Sequence, residues 1–438
     1  MTEKLLLGVG RRLITPPLGG FLYGYPNPSR SVAVHDDLTV TAAYFKEGET
    51  EALLLSFTIC TLATDLCDRL SARLESETGV AREGILLHAI HTHSGPSTTD
   101  SVGWGSADRT YIEEILIPAA CLAAKEAMDD PRPARMAVAV GESLVGINRR
   151  EIRGGQACLG QNPDGPHERR MTVIGFFAEN GAPLLTAVHY GAHPTASGHN
   201  AEITRDWPGA VIDALEEETG ATALFLQGPE GDAGPRMPSG KTIGEASAED
   251  GVAMGRIAAA DALAIYRRLG TPRFVPLTVS RKTLALPLAA RPSRQEAEEA
   301  IRRNEGAEAG VEAKTLDYYR RVLASYDEGY TEKESLPLEQ TLLRLGDLVL
   351  VSFPYELFTE IGMAIRNASP FPHTLPLSLT GGRACYFVTE DAIPFGGYEV
   401  TMFLLENIQR YPAHIDRTLA ELTLGHLELM KIKLDIQE

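Results

Sequence analysis

The 438 residues carry a formal net charge of −18, with 44% hydrophobic and 23% charged residues. That balance suits a soluble globular chain with room for one large domain or two medium ones, and so acidic a surface disfavours nucleic acid and anionic membranes as partners. Five cysteines without a Cys-x-x-Cys pair suggest neither a disulfide framework nor a thiolate metal knuckle.

Residues 1–17, MTEKLLLGVGRRLITPP, hold only a short apolar run and no small-residue cleavage site, so no secretory leader is expected. No stretch approaches the roughly 18 apolar residues of a bilayer span. A reduced, cytoplasmic protein is therefore the expectation. DLTVTAAYF (37–45) and EALLLSFTIC (51–60) read as strands around the turn-like KEGET. In residues 65–79 Leu66, Leu70 and Leu74 recur at helical spacing, with Gly79 as a stop. ILLHAI (85–90) is again a strand, so strand, helix and strand alternate, which predicts α/β layering.

The pattern returns further on. PLLTAVHY (183–190) reads as a strand, residues 205–220 as a helix with Asp206 as candidate N-cap, and TALFLQG (222–228) as a strand. Residues 251–270 form a helix rich in small residues, predicting close packing. Residues 292–332 are charged and helical, a solvated pair of helices expected as an insertion in a single domain spanning 1–438. TLLRLGDLVLVSFP (341–354) predicts a hairpin turning at Gly346-Asp347 and feeding a helix that begins near Tyr355. No repeat period is visible.

Chemistry concentrates at strand ends. His91 and His93 follow an apolar strand in HTHSGP and would share one face if the chain stays extended, while His88 would point the other way. Both could bind one metal, or one could bind while the other moves protons, or both could bond to loop carbonyls. His193 in VHYGAHPT also lies just past a strand, whereas His189 within it reads as packed core. Glu356 in SFPYELF sits where a helix start would favour its ionised form, and by itself is also an ordinary N-terminal acid. Two histidines and a carboxylate from three distant segments match the ligand set of a catalytic zinc site.

The order of motifs is similar to that of the neutral, non-lysosomal ceramidase family. The matching stretches are GVGRRLITPPLGGFLYGY, VHDDLTVTAAYF, HTHSGP, INRR, HPT, GPEGDAGP, FPYELF and YFVTEDAIPFGGYE, running from Gly8 to Glu399. The resemblance implies an α/β catalytic domain of mixed β-sheets layered with helices, with a zinc ion at strand-end loops. It implies His91, His193, Glu356 and Tyr386 as Zn2+ ligands, and His93, Arg149 and Tyr398 around the scissile bond. Tyr386 and Tyr398 reproduce the family's pair of tyrosines twelve positions apart.

Two departures stand out. Gly234 occupies the loop position where the family carries a serine, so no hydroxyl nucleophile can come from there. The chain also ends too soon after Tyr398 for the family's extra β-sandwich domain, which is expected to be absent. The expected activity is zinc-dependent hydrolysis of an N-acyl bond in a soluble small molecule, without stable membrane association. An esterase or lactonase on the same scaffold, a phosphoester hydrolase, and a non-catalytic binding protein are the alternatives. Glu230 and Asp232 read as turn-capping acids and Trp104 and Trp207 as core aromatics; either pair could instead serve the site.

Overall fold

The computed structural model describes residues 4–237 and 245–437. Its central strands are apolar on both faces. In Leu348–Ser352, Leu348 and Leu350 enter one core while Val349 and Val351 enter another. In Thr39–Glu47, Ala43 and Phe45 point one way and Val40, Ala42 and Tyr44 the other. With period 2 and both sides apolar, each sheet needs a covering layer on each face.

One topology meets that need three times. Leu6–Leu13, Thr39–Glu47 and Thr50–Phe57 pair antiparallel in succession, and the helix Thr64–Thr78 leads to Ile85–Ala89, parallel to the third strand. Arg132–Glu142, Arg170–Ala178, Pro183–Tyr190, the helix Asp206–Thr219 and Thr222–Gln227 repeat the arrangement. So do Leu277–Pro287, Ser335–Leu345, Leu348–Ser352, the helix Thr359–Ala368 and His373–Leu377. A brief pairing of Leu6 and Leu7 with Pro133 and Arg132 joins the first two sheets into one of eight strands.

The inner faces of all three units share one core, to which Phe45, Phe176 and Leu343 each contribute. Each outer face carries its own helices. Ile117–Asp129 lies so close on the first strand that a methyl on Gly8 would overlap the Ala127 carbonyl, which accounts for GVG in that strand. Within the second unit, Gly255 of the helix Ala248–Tyr266 touches Ala210 and the Trp207 backbone, the close packing its small residues predict.

The units meet along their last strands. His88 accepts the Gln227 N–H at Nε2 (2.9 Å) and places Nδ1 2.8 Å from the Thr380 hydroxyl, while Ser378 N–H donates to Gln227 O at 3.1 Å. Burial pushes His88 down to about 3, and His189, whose Nε2 lies 2.9 Å from the Pro376 carbonyl, down to about 4. A histidine kept neutral in the fold stabilises it above the unfolded pKa near 6.5, and that stability is lost as pH falls toward the folded value. The stability advantage of wild type over His189→Gln should therefore shrink by about 2 kcal/mol between pH 7.5 and pH 5. Urea titrations at the two pH values check it; an advantage that stays constant would rule it out.

Each unit also carries an insertion between its first and second strands. The first holds the short strands Leu22–Tyr23 and Ala33–Val34, and the second the hairpin of Gly146–Arg153 and Gln156–Asn162. The third holds the helices Arg294–Arg303 and Gly310–Asp327, which are not merely solvated, because Ala297, Tyr318 and Val322 cluster with Leu405.

Two local expectations fail. The helix after the hairpin starts at Thr359, and Glu356–Leu357 instead pairs as a short parallel strand with Tyr386–Phe387. Asp206 is no N-cap, since that position belongs to Arg205. Held at φ 56°, Asp206 turns its carboxylate back to accept from the N–H groups of Ala196 (3.1 Å) and Ser197 (2.7 Å). Among the described residues no helix is long and apolar enough to cross a membrane.

Candidate metal centre

The three units deliver their strand ends to one place. His91 follows Ala89 in the first unit, with φ 76° and its N–H donating to Ile59 O at 2.9 Å. A left-handed, non-glycine residue costs of order 1–3 kcal/mol and persists only where surrounding structure enforces it. His193 follows Tyr190 in the second unit, its N–H bonded to Ala233 O (3.0 Å) and its carbonyl to the Trp207 indole (3.1 Å). Glu356 follows Ser352 in the third, and its parallel neighbour is Tyr386.

The tautomers of the two histidines are set by their outer nitrogens. His91 Nδ1 lies 2.9 Å from Cys60 O, and His193 Nδ1 lies 2.7 Å from Glu230 O and 3.1 Å from Ala233 O. A nitrogen facing a carbonyl must donate, which leaves the Nε2 of a neutral ring as an acceptor. Both Nε2 atoms face Glu356 Oε2, His91 at 3.3 Å and His193 at 3.2 Å, and all three residues are buried. Three potential ligand atoms thus converge on one point. Burial alone would lower His91, but Cys60 and Glu356 outweigh it and hold it well above the usual imidazole value, so the trio is bound together either by a shared proton or by a divalent cation that displaces that proton. That convergence is the observation on which the fit to a metal rests.

Burial alone would raise the Glu356 carboxyl, but His91 and His193 outweigh it and hold the group well below the usual carboxylate range. The His91 imidazole, and not a helix terminus, keeps Glu356 ionised. His193 itself is pushed down to about 3 by burial, with the Arg149 charge adding to the effect.

The other expected site residues surround this trio. The chain does not stay extended here, because His91 is left-handed; even so His93 Nε2 is 3.3 Å from His91 Nε2, and its ring packs edge-on against Tyr25 with centroids 4.8 Å apart. Tyr386 stacks beside His193 and accepts a 3.0 Å hydrogen bond from Arg149 Nη2. Tyr398 opens the helix Tyr398–Leu404, with its ring 5.6 Å from that of Tyr386. Burial raises both phenols, so they stay protonated at neutral pH. Arg149 stands behind Tyr386: its Nε donates to Glu399 Oε1 at 2.9 Å, while Arg150 Nη1 donates to Glu399 Oε2 at 2.6 Å.

A pocket opens onto His91 and Glu356, bounded by Tyr23, Cys60, Trp104, Arg383, Tyr398 and Met402. It is narrow, with a cavity volume of about 30 Å³, space for roughly two waters. Trp104 thus lines the pocket, whereas Trp207 is core and only its indole N–H reaches the site. Asp232 bridges segments: it accepts from Thr359 N–H (2.7 Å) and Oγ1 (2.8 Å) and from Asn148 Nδ2 (3.2 Å). Glu230 is fully buried beside the trio, and its carboxyl is pushed up to about 8 by that burial. At Gly234 a Cβ would meet only ordinary contacts with Arg149, 3.5 Å away.

Sequence reasoning missed Glu399, although it adjoins Tyr398, because its partners lie some 250 positions earlier in the chain. It also missed Gly24. At φ 131° this glycine lies flat on the His93 ring, and a Cβ there would overlap the imidazole. Gly24→Ala should displace His93 and lower kcat about tenfold or more, a 1.4 kcal/mol effect at least, with bound metal retained. Steady-state kinetics with metal analysis tests this, and unchanged kcat would show that His93 is not needed where it stands.

A scan against protein-family models finds no match to this chain, and neither does a search of curated proteins. Solved structures do match. The neutral ceramidase from Pseudomonas aeruginosa aligns with a TM-score of 0.74 at 19% identity, covering 97% of this chain and 75% of the other. A ceramidase complexed with C2 aligns with a TM-score of 0.75 at 17% identity, covering 98% and 76%. The chain has the fold of the neutral ceramidases over nearly its whole length, as the order of its motifs implies.

Proposed function

We propose that this protein is a zinc-dependent hydrolase of amide bonds, acting on a soluble N-acyl compound. The observation that carries the proposal is the pair of buried Nε2 atoms turned onto one Glu356 oxygen at 3.3 and 3.2 Å. Donors each about 2.0–2.1 Å from one tetrahedral zinc would stand roughly 3.3 Å apart. Likeness in fold to ceramidases supports amide chemistry, and the narrow pocket supports a small substrate.

His91, His193, Glu356 and Tyr386 would hold the ion. Zinc bound there would supply Lewis acidity, polarising an acyl carbonyl and acidifying water. His93, on the pocket wall beside His91, takes the proton of the attacking water and returns it to the leaving nitrogen. Tyr398 faces the same pocket and, being protonated, donates to the oxygen on which charge develops. Arg149 acts one step removed, as a positioning residue: its hydrogen bond orients the Tyr386 phenol, and Glu399 fixes the guanidinium in turn.

A panel of N-acyl amides, esters, lactones and phosphoesters, each run with chelated and with zinc-reloaded protein, tests the reading. Amide cleavage should disappear on chelation and return with zinc. Equal amide turnover by metal-free protein would refute it.

A further inference from the structure

The pocket carries a cation that the chemistry above leaves unused. Arg383 lies on its wall, on the loop between His373–Leu377 and the short strand that begins at Tyr386. The Arg383 backbone is pinned at both ends: its N–H donates to Thr64 Oγ1 and its carbonyl accepts from that hydroxyl, each at 3.2 Å. Its guanidinium is treated differently. Among the described residues no carboxylate lies within ion-pair distance of it, whereas Arg149 and Arg150 share Glu399 and Arg205 pairs with Asp36 and Asp213.

The carboxylates that could have served are engaged elsewhere. Glu356 faces His91 and His193, and Glu406 faces Lys314 at 3.8 Å. Tyr23, close to Arg383 in the same pocket, is raised by burial and stays neutral. Tyr23, and from beyond ion-pair distance Glu406 and Glu356, outweigh burial and keep Arg383 charged, yet no carboxylate among the described residues touches the guanidinium. In a chain with net charge −18, leaving one cation unpaired inside the cavity is costly unless something else completes it.

We propose that the substrate carries an anionic group, a carboxylate or a phosphate, that pairs with Arg383 while its amide lies against His91, His193 and Glu356. The proposal rests on the amide-hydrolase reading and narrows its substrate class to N-acyl compounds such as acylated amino acids. The planar fork of arginine suits either anion, and lysine would reproduce the charge without the paired hydrogen bonds.

The test compares kcat/KM of the zinc-loaded full chain on three probes: an N-acylglycine, an N-acylethanolamine phosphate and the neutral N-acylglycine amide. One anionic probe should exceed the neutral one by about ten- to a hundredfold, the worth of a charge-assisted hydrogen-bonded pair. Which anion leads identifies carboxylate or phosphate as the partner. In Arg383→Gln that ratio should fall to about 1, and Arg383→Lys should restore part of it. A ratio near 1 in the wild type, or one that survives in Arg383→Gln, overturns the proposal. Calorimetry with the anionic probes separates the two readings: binding that depends on Arg383 without cleavage of any amide would keep the anion site and sink the hydrolase.

Discussion

Glu356→Gln is expected to lower amide turnover about a thousandfold or more and to abolish zinc retention. The glutamine is isosteric but neutral, and its amide N–H can donate to one of the Nε2 atoms that both face Glu356 Oε2 in the wild type. The substitution therefore removes the ligand charge that a divalent cation at this site requires. Several kcal/mol of Lewis-acid stabilisation go with the ion, and each 1.36 kcal/mol is a factor of ten. Stability supplies a second signature: added zinc should raise only the wild type, by about 4 kcal/mol at a thousandfold excess over Kd. Comparable zinc-induced stabilisation of both proteins would remove Glu356 from the ligand set.

Arg149→Met is expected to leave zinc in place and lower kcat by about 10- to 100-fold, as loss of a partner behind a metal ligand does. The guanidinium spends Nη2 on the Tyr386 phenol and Nε on Glu399, all three groups being buried. Methionine fills the space but leaves Glu399 with Arg150 alone, so a stability loss of about 3 kcal/mol should accompany the kinetic one. Glu399→Gln, one step further back, should act in the same direction and more weakly, by less than about tenfold. Loss expressed in KM alone, with kcat preserved, would mean that Arg149 binds substrate and does not position Tyr386.

What could be read in advance follows from where the forces act. The strands were legible because both faces of each sheet are buried, so runs such as LLLSF and LVLVS stand out against turn residues. His91 and His193 were legible because each lies just past such a run. The threefold recurrence of the fold was not, because the units share topology and alternating burial but few residues, and their insertions range from a hairpin to a helix pair. Glu356 was assigned to a helix start because its partner in the short parallel pairing, Tyr386, comes thirty positions later. Asp206 looked like a cap for the helix that follows, yet its carboxylate turns back to the Ala196 and Ser197 amides, a competition local propensity cannot decide. Arg383 gave no signal at all: an unpaired charge is defined by what is missing around it in space.

The most direct test of the account is anomalous diffraction at the zinc edge from crystals grown without chelator. It should show a single strong peak within bonding distance of His91 Nε2, His193 Nε2 and a Glu356 oxygen, absent from Glu356→Gln crystals. Zinc-soaked wild-type crystals with no density among those three atoms would contradict it.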